Sequence, residues 1–127
     1  MKRLLFFSVL SIFCLTISAQ TKTWVGPVGG SFNVAANWNP AGIPGTTNDV
    51  IIPSESNLII NGAPSIKSIA LQGNSVATMT NHLTFTNASS IATNATINWT
   101  FGTFSGSGTL TNNGTMNLND GGTVIAN

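Results

Sequence analysis

The sequence predicts an all-β chain: a parallel β-helix, or β-solenoid, behind an irregular N-terminal cap. Three observations carry this. No stretch beyond residue 20 repeats apolar residues at helical spacing over three turns. Short apolar runs rich in β-branched residues recur between turn residues. A Gly-Thr-apolar triplet returns at residues 102, 108, 114 and 122, at intervals of six, six and eight. An antiparallel β-sandwich is the alternative, since short strands at regular spacing suit both. The tight intervals leave little room for long sandwich strands and favour the solenoid.

Residues 1–20 read as a secretory signal peptide. Lys2 and Arg3 form a positive start, Leu4 to Leu15 an apolar run broken only by Ser8 and Ser11, and Thr16 to Gln20 a small and polar exit. Cleavage is expected after Gln20. The run is shorter than the roughly 20 apolar residues a membrane span needs, so no span is expected in the mature protein. Cys14, the single cysteine, leaves with the leader, because bulky Phe13 before it does not suit a lipidated cysteine. Disulfides and cysteine-based metal centres are then excluded.

Residues 21–62 read as a lead-in. They hold four of the five prolines together with Trp24 and Trp38. Strand runs within it are Asp49 to Pro53 and Asn57 to Asn61. Residues 63–127 read as coils, with apolar runs near Ile66–Leu71, Val76–Thr80, His82–Thr86, Ala95–Trp99, Thr109–Thr111, Thr115–Leu118 and Thr123–Ala126. Of these, Ile69 and Leu71 alternate cleanly but Ile66 does not, and Val76 is out of phase with Met79. Gly and Asn punctuate the runs, and both tolerate the left-handed backbone of a corner.

Charge nearly vanishes after the leader. Only Lys22, Asp49, Glu55, Lys67 and Asp120 remain, a net of −1. Nothing offers a basic patch for phosphates, so nucleic acid is not an expected partner. Solubility rests on Thr, Asn and Ser.

The segments Thr23-Trp24-Val25-Gly26, Phe32 to Trp38, Gly42-Ile43-Pro44 and Asn48 to Pro53 resemble the opening of large secreted bacterial surface proteins of Bacteroidota type. Gly108 to Leu118 is similar to their coil repeats. The resemblance covers most of the mature chain. It implies right-handed parallel β-helix repeats of adhesin- or autotransporter-like kind. It also implies a parent longer than this chain, whose last strand carries no polar cap; a fragment prone to self-association through the uncapped end is expected.

Candidate chemistry is sparse. Asp49 and Glu55 are separated by Pro53, with nothing to bring them together, and read as hydrogen-bonding turn or cap residues. Asp120 before Gly121-Gly122 reads as a turn aspartate, without the oxygen-rich run of a calcium site. His82 reads as a lone histidine at a strand start. No catalytic residue, metal site or cofactor is expected. Trp24, Trp38 and Trp99 read first as core, with Trp38 and Trp99 the candidates for stacking on a sugar ring. Thr-x-Thr triplets at 78–80, 84–86 and 109–111 are not at one repeat length, so they do not form one flat threonine array. The expected function is a non-catalytic secreted or cell-surface structural or adhesin-like segment contacting glycans or surface proteins. The alternatives are the front of a polysaccharide-active β-helix enzyme and a glycan-binding module.

Overall fold

A computed structural model describes residues 20–119 and 122–124, and in it the chain winds as a β-solenoid of about four turns. The lead-in supplies β1 (Thr21–Trp24), β2 (Gly30–Ser31) and, after a 3-10 turn at Ala35–Asn37, β3 (Trp38–Asn39). The first coil is β4 (Asp49–Ile52), β5 (Asn57–Ile60) and β6 (Ser65–Ile66). The second is β7 (Ser68–Leu71), β8 (Val76–Met79) and β9 (Leu83–Phe85). The third is β10 (Ser89–Ile91), β11 (Thr96–Trp99) and β12 (Gly102–Ser105). The fourth is β13 (Leu110–Asn112), β14 (Thr115–Leu118) and β15 (Gly122–Val124).

Each coil places one strand in each of three sheets. The first sheet runs β13-β10-β7-β4-β1-β3, the second β14-β11-β8-β5-β2 and the third β15-β12-β9-β6. Every pairing is parallel except β1 with β3. Among the described residues there are no two facing antiparallel layers, and the sandwich is ruled out. The stack takes in β1, β2, β4 and β5, so coil strands begin inside the expected lead-in of residues 21–62. The leader through residue 19 and the turn at Asp120 lie outside the described residues.

The register advances 19 to 21 residues per coil. Asn57, Val76, Thr96 and Thr115 lie opposite one another in the second sheet. The Gly-Thr-apolar echo is a walk around one coil: Gly102 opens β12, Gly108 and Gly114 precede β13 and β14, and Gly122 returns to pair with Gly102. The unequal intervals are the unequal sides of the coil.

Alternation explains the phases. In β4, β5, β7, β8 and β11 the second and fourth side chains are buried and the first and third half-buried. Ile66 falls out of step with Ile69 and Leu71 because a corner at Lys67 separates two sheets. Val76 points outward; Ala77 and Met79 point inward.

The corner between the first and second sheets is a β-turn repeated on three coils. Ser56, Ser75 and Ala95 donate backbone N–H bonds to Pro53, Gln72 and Ala92 at 3.3, 3.1 and 3.0 Å. Glu55 and Asn94 take the left-handed conformation at the third position, at φ 64° and 69°.

The core is one continuous stripe. It runs from Trp24, Phe32 and Trp38 through Val50, Ile52, Leu58, Ile60 and the middle coils to Ile97, Trp99 and Phe104. Each fully buried aliphatic side chain contributes roughly 1.5–3 kcal/mol. At the N-terminal end Trp38 meets Trp24 and Phe32 edge-on, with ring centroids 5.2 and 4.7 Å apart. β3 then covers the edge of β1 in antiparallel register. That end of the stack is closed.

Candidate functional site

Both tryptophans singled out for sugar stacking lie in the core. Trp38 is 2% exposed and donates its indole N–H to the carbonyl of Phe32 at 2.8 Å. Trp99 is 0% exposed, donates to the carbonyl of Gly102 at 3.1 Å and packs edge-on against Phe104. Neither ring has a face free for a ligand, which corrects the sugar-stacking assignment. The physical reason is alternation: each sits on an inward position, and a large aromatic there fills the stripe. Trp24 is buried likewise.

The polar residues form a second system, on the outside. Asp49 accepts from Lys67 Nζ at 2.8 Å and from Ser68 Oγ at 2.6 Å. Lys67 and Ser68 hold the Asp49 carboxyl below its usual range through these hydrogen bonds, against a small opposing effect of burial. Glu55, at its left-handed corner, accepts from Asn74 Nδ2 at 2.6 Å. His82 Nδ1 lies 2.8 Å from Thr103 Oγ1. Thr84 Oγ1 and Ser105 Oγ are 2.8 Å apart, and Asn117 Nδ2 donates to Asn98 Oδ1 at 2.9 Å. In each case the partners are 18 to 21 residues apart, one coil in sequence. The polar side chains bond along the axis, from coil to coil.

Asp49 and Glu55 therefore sit on different elements with different partners, a strand of the first sheet and a corner. Among the described residues no three His, Cys, Asp or Glu side chains come together as a metal site would require. The three Thr-x-Thr triplets fall on three different sheets: Thr78 on β8, Thr84 on β9 and Thr111 on β13.

The most uniform surface is the outer face of the second sheet. One row holds Asn57, Val76, Thr96 and Thr115; the next holds Ile59, Thr78, Asn98 and Asn117. Rows on one face lie about 6.6–6.8 Å apart and rungs about 4.7–4.9 Å apart in such a sheet. This face carries no charged side chain in β5, β8, β11 or β14.

Sequence reasoning missed Lys22. It occupies an inward position of β1, opposite buried Val50, and is 6% exposed. Its ammonium donates to the carbonyls of Pro40 and Ala41 at 3.0 and 3.1 Å and so ties the lead-in loop to the first sheet. Its only sequence signal is phase: Lys22 and Trp24 share a face, and Trp24 is core.

No family model, curated protein or solved structure matches the chain.

Proposed function

We propose that this chain is a non-catalytic, secreted or cell-surface β-solenoid segment that serves as a stalk or an adhesive surface. One observation carries the reading. Each titratable side chain described on the coils, Asp49, Glu55, Lys67 and His82, is engaged with a residue about one coil away. Such groups hold adjacent coils in register. The faces between them present hydroxyl and amide groups, suited to many weak hydrogen bonds with glycans or surface proteins. The positive start and apolar run of residues 2–15 support export.

The test is enzymatic. Purified chain incubated with a panel of plant, algal and microbial polysaccharides is expected to release no reducing ends above a no-protein control. Release of reducing ends that disappears in Asp49→Asn or Glu55→Gln, with folding retained, would overturn the non-catalytic reading.

A further inference from the structure

The two ends of the solenoid differ. The N-terminal end is closed by β3, the 3-10 turn and the Trp24–Phe32–Trp38 cluster. At the other end, β13, β14 and β15 each pair with one strand below and, among the described residues, with none above. The inward stripe nevertheless continues into this coil. Leu110 stands opposite Ser89, Met116 opposite Ile97 and Leu118 opposite Trp99. Leu110 and Met116 are only partly buried and Leu118 is 60% exposed, where the equivalent side chains one coil below are buried.

We propose that this end docks a second copy of the chain, tail to tail. Free strand edges call for backbone donors and acceptors from another strand. Here three edges lie around one apolar centre, and a single added strand satisfies only one of them. The end of another such coil offers three edges around the same centre. About a two-fold axis β14 meets its own copy antiparallel, while β13 meets β15 of the second copy, a self-complementary contact. Leu118, Met116 and Leu110 of the two copies then close on one another. No charged residue occurs in β13, β14 or β15, so like faces meet without repulsion. The closed N-terminal end limits the assembly to two. The pairing extends the solenoid along its axis and leaves the outer faces free, and it stands whether or not those faces bind a ligand.

Sedimentation velocity of the full chain recovered from a secreting host tests this across a wide concentration range. The unsubstituted chain is expected to sediment as a dimer, Leu118→Lys as a monomer, and Phe101→Lys, which alters an exposed corner residue on the flank, as a dimer. Circular dichroism checks that each variant keeps its β-sheet spectrum. Should Leu118→Lys lose it, Asn112→Lys, at an exposed position above Ile91, serves in its place. A monomer for the unsubstituted chain at every concentration, a dimer that survives the end-face lysine, or a ladder of species beyond the dimer would each overturn the proposal.

Discussion

Trp99→Ala is expected to cost about 3–5 kcal/mol of folding stability, the range for removing a buried Trp or Phe. Trp99 is fully buried, lies between Met79 of the coil below and Leu118 of the coil above, and touches Phe104 edge-on at 4.6 Å. Its indole N–H bonds to Gly102 across the corner into the third sheet, so truncation also leaves that carbonyl without its partner. A domain of this size has roughly 5–15 kcal/mol in all, and the loss is a large part of it. The urea midpoint is the measurement. A variant that unfolds at the same urea concentration as the unsubstituted chain would contradict the core assignment and return Trp99 to the list of ligand contacts.

Gly102→Ala is expected to be nearly as damaging, for a different reason. Gly102 has φ +96°, and a Cβ there would lie 2.4 Å from the backbone carbonyl carbon and oxygen of Asn81 on the coil below. The neighbour is main chain and cannot swing aside. The substitution forces β12 away from β9 and adds backbone strain, together about 3 kcal/mol. Gly29→Ala is the matched control. It has φ +70°, but an added Cβ meets nothing within 4 Å, so only the left-handed cost of about 1–2 kcal/mol applies. Urea melts of the two variants separate them. Equal loss in both would mean that the close approach of successive coils at this corner contributes nothing.

The fold was largely legible because its elements are local. Asp49–Ile52, Asn57–Ile60 and Thr96–Trp99 show their strand phase in three or four residues, and turn residues mark their ends. The coil length was harder to see. The Gly-Thr-apolar echo counts sides rather than turns, and its steps add up to a coil only when Gly122 is known to lie on Gly102. Without that length, the pairing of Asp49 with Lys67 and Ser68, or of Glu55 with Asn74, had no spacing rule to reveal it. With it, each partner is found by counting about 19 residues onward. The inward turn of Lys22 was hidden by its charge, because a lysine at a core phase needs the carbonyls of Pro40 and Ala41 brought over it by a loop almost twenty residues away.

The two tryptophans show the limit of reading a ligand site from residue type. Trp38 and Trp99 have the chemistry to stack on a sugar, but the same apolar area fills a narrow core, and their phase within the strands decides between the two. What the outer faces offer instead is repetition. Thr78, Asn98 and Asn117 stand in one row, and no single member of it is distinctive in the sequence.

Backbone nuclear Overhauser contacts across the second sheet test the coil stacking most directly. The account predicts cross-strand amide-to-Hα contacts linking Ile59 to Thr78, Thr78 to Asn98 and Asn98 to Asn117, in the parallel pattern. Close Hα–Hα contacts joining consecutive strands, such as β8 with β9, would signal hairpins and contradict it.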